Sequence, residues 1–247
     1  MIRVGMITPS SNTMVEPITS AITAGLWADL SVHYARITVT RIAMDAASIN
    51  QFEREAMLGA ARLLADARVD LICWNGTSAG WKGLDSDRQN CAAIQAETGI
   101  RATSATLGQM DAFRAAGVTR YALATPYLAD VHAATKRTYA AEGFECVSEH
   151  NLGISTNFEF AEIPLEALRD LIRRADSPDA QAIAVVCTNL AAARVVEEME
   201  RELSKPIHDT LILALWHPLQ LLGWDKPIPD WGALMRSFGD PPPHDRR

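Results

Sequence analysis

Short apolar runs recur along the chain, each separated from the next by a longer stretch in which apolar positions repeat at three and four. That alternation is the pattern of a parallel α/β fold. The short runs predict strands at Val4–Ile7, Ser31–Arg36, Leu71–Trp74, Arg101–Thr103, Tyr121–Ala124, Phe144–Ser148, Ala182–Cys187 and Ile207–His208. Helical period is strongest over Gln51–Ala67 and Pro164–Ala175. Leu190–Leu203, Ala-rich and then Glu-rich, adds a third helix of good propensity. The final segment, SFGDPPPHDRR, is polar and proline-rich and is expected to be a loose tail.

The pattern is written twice. RVGMITP at Arg3–Pro9 returns as RYALATP at Arg120–Pro126, and DLICWNGTS, ending at Ser78, returns as AIAVVCTN, ending at Asn189. Each half then runs through a helix to a short strand, GIRATS near Arg101 and KPIHDT near His208. Two such units predict two pseudo-symmetric, Rossmann-like α/β lobes with parallel sheets. The boundaries expected are 1–115 plus 213–247 for the N-terminal lobe and 116–212 for the C-terminal lobe. Open parallel sheets bind ligands beyond the carboxyl ends of their strands. Facing lobes therefore place four loops around one cleft: Pro9–Thr13, Gly76–Ser78, Pro126–Tyr127 and Cys187–Asn189.

Composition narrows the chemistry. The 247 residues carry a net charge of −7, which argues against a nucleic-acid surface. No run of about 18 apolar residues exists to span a membrane, and MIRVGMITPSSN reads as strand and turn rather than as a signal peptide. A cytoplasmic protein is expected, with its four cysteines reduced. The six histidines are scattered, and no CxxC, GxGxxG or Walker loop occurs, so neither metal nor cofactor is expected. The four loops contain no lysine or arginine but many hydroxyls, amides and strand-end N–H groups. A small-molecule carboxylate suits them better than a phosphate. Self-association into a homo-oligomer is left open.

Cys187 is the chemical candidate, because it holds in the second half the place that Gly76 holds in the first. A thiol is a competent acid or base, with an ordinary pKa near 8.5. Cys73, three positions before Gly76, is expected to face the sheet core, and Cys91 and Cys146 are read as structural. Trp74, Trp81 and Trp216 are expected in the core, with the lining of an apolar pocket as the alternative, and Asp130 and His132 on a solvated helix start. Thr77 and Ser78 have the rival reading of a helix cap, as does Asn12.

In order, PSSNT, the strand-end GTS, ATPY and VCTN resemble the aspartate/glutamate racemase superfamily, and within it the maleate cis-trans isomerase and arylmalonate decarboxylase branches. The resemblance runs from Arg3 to about Trp224. It implies that racemases and isomerases of this kind use two cysteines, at the places of Gly76 and Cys187, whereas the decarboxylases keep only the second. GTS and ALATPYLADV look decarboxylase-like and place Tyr127 in the cleft. PSSNT looks isomerase-like, with Ser10 and Asn12 beside a substrate carboxylate and Asn157 of GISTNFEF as a second amide. Thr188 and Asn189 stand where the decarboxylases carry a Gly-Gly pair.

Racemisation needs groups on both faces of the substrate, and isomerisation of a conjugated diacid needs an added nucleophile; Gly76 supplies neither. The expected function is cofactor-independent decarboxylation of a substituted malonate. Thr77, Ser78, Tyr127 and Thr188 stabilise the enediolate, and Cys187 protonates it. A cis-trans isomerase or racemase of a small dicarboxylate is the alternative enzyme, and a non-catalytic carboxylate binder the alternative class.

Overall fold

The computed structural model describes residues 1–45, 47–48, 51–52 and 54–239. Eight strands form two four-stranded parallel sheets. The first contains β1 (Ile2–Pro9), β2 (Leu30–Ile37), β3 (Leu71–Trp74) and β4 (Ala102–Ser104) in the order β2-β1-β3-β4. The second contains β5 (Arg120–Tyr127), β6 (Glu145–Ile154), β7 (Ala182–Val185) and β8 (Ile207–Asp209) in the order β6-β5-β7-β8. The repeat seen in the sequence is thus a repeat of topology.

Burial explains which strands were easy to recognise. β3 (LICW) and β7 (AIAV) are buried at every position, as strands covered by helices on both faces must be. The outer strand β6 is half-exposed and tolerates polar residues, so it continues to Ile154, well past the expected end at Ser148. β7 ends at Val185, which leaves Cys187 in the following loop rather than on the strand itself. Helices form at Arg54–Asp66 and Leu165–Ala175, close to the expected ranges, with Glu53 outside the described residues. The third is broken: Ala191–Arg194 is a tight 3-10 turn, and the α-helix begins only at Val196.

Two helices join the lobes. Ala105–Ala115 follows β4, and Thr210–Leu221 follows β8 and packs against β3 and β4 as well. Thr210 to Leu219 are all buried, so this helix has no polar face and no amphipathic period to announce it. The two helices approach closely at Gly108, where a Cβ would lie 2.9 Å from the Cβ of His217. Two reciprocal bonds cross the junction: Gln109 Nε2 to His208 Nδ1 at 3.2 Å, and Thr103 Oγ1 with His217 Nδ1 at 2.9 Å. Burial holds the His208 pKa down at about 4, which keeps the ring a neutral acceptor.

Cys73 is fully buried with Leu71, Ala105 and Ala214, as expected of a core thiol. Trp81 and Trp216 are also in the core. Asp130 is exposed, but His132 departs from expectation. It is 3% exposed, with Nδ1 bonded to Thr125 Oγ1 at 2.8 Å, because its face of the helix turns onto β5 rather than to solvent. The start of the expected tail is anchored too: Phe238 is buried, its ring centroid 6.5 Å from that of Trp216. The rest of that tail lies outside the described residues.

Gly108→Val would force branched carbons onto His217 and is expected to lower unfolding free energy by about 2 kcal/mol in urea titrations. An unchanged midpoint would mean that the helices separate at no cost.

Candidate active site

The carboxyl ends of the two sheets meet in a small cavity. Its polar lining is Thr77, Ser78, Tyr127, Asn157, Cys187 and Thr188, with Gly76 between them. Its apolar lining is Pro9, Val39, Ile42, Phe52 and Trp74. The free space is about 20 Å³, room for about one water molecule. Among the described residues, no charged side chain lines it. Among the described residues, no group of His, Cys, Asp or Glu is arranged to hold a metal ion, and no helix is long and apolar enough to cross a membrane.

Cys187 is 2% exposed. Burial pushes its thiol up to about 12, and the nearby Asp209 carboxyl adds to the rise. The Asn189 N–H, 3.4 Å from Sγ, and the neighbouring Tyr127 hydroxyl moderate it. The backbone N–H of Cys187 donates to Thr210 Oγ1 at 3.0 Å, fixing the loop to the start of the following helix. A thiol in this setting rests protonated. Asp209 is itself fully buried, raised by that burial to about 7, and caps the helix by accepting from the N–H groups of Leu211 and Ile212.

Tyr127 ends β5 with its hydroxyl 2.6 Å from Thr77 Oγ1. Burial raises its pKa well above the ordinary value, so it remains a neutral hydroxyl. The helix Ala79–Lys82 begins after Ser78, yet the Ser78 side chain makes no capping bond to it. Neither hydroxyl of the GTS corner caps that helix, so the rival reading of side-chain caps falls, and both residues line the cavity. The N–H groups of Gly76, Thr77, Ser78 and Thr188 have no acceptor among the described residues. These four amide donors belong to the loops after β3 and β7.

Other expected residues serve the frame. Asn12 Nδ2 donates to Thr188 O at 3.1 Å, while its Oδ1 accepts from the N–H groups of Met14 and Val15, both at 2.9 Å. It is a cap and a tie between lobes, outside the cavity lining. Ser10 is exposed and also outside that lining; its hydroxyl accepts from the Val39 N–H at 3.2 Å. Asn157 does line the cavity, but its amide donates to Ser11 Oγ at 2.7 Å. Thr188 Oγ1 donates to Asn75 O at 2.8 Å, leaving its N–H as the free group.

Core packing was the favoured expectation for Trp74, with an apolar pocket wall as the alternative. Trp74 is 2% exposed, but it also lines the cavity. A Cβ placed on Gly76 would fall onto its indole Cζ2 and Cε2 and lie 2.7 Å from Nε1. The indole edge thus occupies the space that a side chain at position 76 would need. Val39, Ile42 and Phe52 were missed, since they come from the segment after the outer strand β2 and not from the duplicated runs.

The arylmalonate decarboxylase family model matches residues 4–235. A maleate isomerase of Nocardia farcinica is 25% identical over 245 residues, covering 95% of this chain and 96% of the relative. An arylmalonate decarboxylase of Bordetella bronchiseptica is 28% identical over 184 residues, covering 73% and 77% respectively. In three dimensions, a cysteine-to-alanine variant of the maleate isomerase Iso from Pseudomonas putida S16, solved with maleate, superposes with a TM-score of 0.87 over 97% of this chain and 99% of that one. At 22% identity, that likeness speaks for the fold.

Gly76→Ala should destabilise the protein by about 2 kcal/mol through overpacking against Trp74, and Trp74→Leu should remove most of that cost in the double variant. Thermal unfolding of the four proteins gives the coupling. Additive losses would show that the indole does not hold the space at 76.

Proposed function

The chain belongs to the arylmalonate decarboxylase family, and on that premise we propose that it decarboxylates a substituted malonate without a cofactor, with Cys187 as the proton donor. One observation carries this reading: the cleft has a single thiol, and the place opposite is filled by the Trp74 indole over Gly76. Chemistry that needs a thiol on each face has nowhere to put the second one.

The retained carboxylate binds among the free N–H groups of Gly76–Ser78 and Thr188, with the Ser78 and Tyr127 hydroxyls beside it. The other carboxylate lies toward Val39, Ile42 and Phe52, where an anion is poorly solvated and its loss as CO2 is favoured. The C–C bond to that carboxylate breaks, CO2 departs, and the bonding pair remains as an enediolate. Donors aimed at the enediolate oxygens strengthen as charge develops, each by about 3 kcal/mol. The S–H proton of Cys187 then moves to the planar carbon, forming the new C–H bond from one face. The resulting thiolate, a strong base, regains its proton from water. A resting thiol suits this acid role better than a nucleophilic one.

A second reading has its own support. The maleate isomerase relative spans more of the chain than the decarboxylase does. A cis-trans isomerase would need Cys187, or another group, to add to the double bond as a nucleophile. The raised thiol pKa weighs against that.

Proton NMR in D2O with phenylmalonate and, separately, maleate distinguishes the two. Decarboxylation should yield monodeuterated phenylacetate, and Cys187→Ser should slow it by about 10³-fold. Fumarate formed from maleate, without CO2 release from phenylmalonate, would replace this reading with isomerisation.

The pH profile gives a separate check. An acid must be protonated to act, and a thiol raised to about 12 stays so; kcat should therefore show no alkaline limb from Cys187 up to about pH 10. A fall centred near 8.5 that disappears in Cys187→Ser would contradict the assignment.

A further inference from the structure

We infer that Trp74 is an additional substrate-binding residue, whose indole N–H donates to the retained carboxylate of the substrate and so completes the group of donors at Gly76–Ser78. Three observations carry this. First, Trp74 lines the cavity although it sits at the end of a fully buried strand. Second, its Nε1 is buried and has no hydrogen-bond partner among the described residues. A buried N–H is almost always paired, so an unpartnered one on a residue that lines a cavity is a candidate donor for an acceptor held there. Third, Nε1 lies 2.7 Å from the position of a Cβ on Gly76. It therefore lies against Gly76, the first residue of the loop whose N–H groups have no acceptor among the described residues.

Trp81 shows why the cavity matters. Its Nε1 is also buried without a partner, but Trp81 packs edge-on against Phe52, with ring centroids 5.7 Å apart, and does not line the cavity. Of these two tryptophans, Trp74 alone combines an unpartnered indole N–H with the cavity lining.

On the proposed reading the acceptor is a carboxylate oxygen, and no lysine, arginine or histidine is among the described residues that line the cavity. An anion there must be held by neutral donors alone, and every N–H counts. The indole would then have two effects at once. It closes the face opposite Cys187 to a second thiol, and it supplies the hydrogen bond that a side chain at Gly76 would have displaced. The inference rests on the carboxylate-binding part of the decarboxylase reading, not on the loss of CO2.

The test uses the full-length protein. The indole N–H resonance of Trp74 is identified by its loss in Trp74→Phe, and is then followed in Cys187→Ser protein titrated with phenylmalonate and with maleate. A downfield shift that saturates together with the amide shifts of Thr77 and Ser78 is expected. In the otherwise native protein, Trp74→Phe should lower kcat/KM for the turned-over diacid by about 100-fold. Should Phe disturb packing, as judged by thermal unfolding, incorporation of β-(3-benzothienyl)alanine at 74 keeps the ring shape and removes only the N–H; the same loss is expected.

An indole proton that stays in place while the Thr77 and Ser78 amides saturate overturns the inference, even if phenylmalonate is decarboxylated. So does full activity in the benzothienyl variant. A shifted indole proton with no CO2 released supports the inference and removes the decarboxylase reading instead.

Discussion

The carboxamides of Asn189 and Asn12 lock the carboxyl ends of the two sheets together, and the site depends on that lock. Asn189 Oδ1 accepts from the Thr13 and Met14 N–H groups, and its Nδ2 donates to Asn157 O at 2.6 Å. Asn12 donates back to Thr188 O, and Thr188 donates to Asn75 O. These atoms are buried, where an unpaired polar group costs about 1–3 kcal/mol, so each bond constrains the next. Loops from both lobes are thereby held in one geometry without a single ion pair between them at the cleft.

That lock also determines what remains for a ligand. Once the amides of Asn12, Asn157 and Asn189 are engaged with the chain, the donors without a partner among the described residues include the N–H groups of Gly76–Ser78 and Thr188, the Ser78 hydroxyl, the Asn75 carboxamide and the indole of Trp74. On the proposed reading, an anion would be held by members of this set. The same cavity is lined on its apolar part by Val39, Ile42 and Phe52. On the decarboxylase reading, a diacid larger than this one-water space would displace part of the lining and bind with one carboxylate bonded and the other desolvated.

Much of this could be read in the residues. The duplicated runs disclosed both sheets, because central parallel strands such as LICW and AIAV are apolar at every position. The loops carrying Gly76, Tyr127 and Cys187 followed from strand ends, which periodicity marks well. What stayed hidden has common physical causes. Thr210–Leu221 is apolar all round and offers no helical stripe. His132 is polar by type but turned inward onto Thr125. Asn12 has the right chemistry for a carboxylate, yet its amide is committed to Thr188, a partner 176 positions away that only the folded chain brings near. Trp74 looked like core because it is core; its second role exists only because Gly76 has no side chain.

The Gly76–Trp74 pair gives the cleft its handedness. The lobes are related by a pseudo-two-fold axis, so the places of Gly76 and Cys187 are equivalent as backbone positions. The side chains break that equivalence completely. At one, a buried thiol rests with its proton; at the other, an absent side chain is replaced by an aromatic edge from two residues earlier. On the decarboxylase reading proposed above, a planar intermediate between them would meet a proton source on one face and a wall on the other. Stereochemical control would then need no second catalytic group. It follows from the one position where the repeat carries glycine.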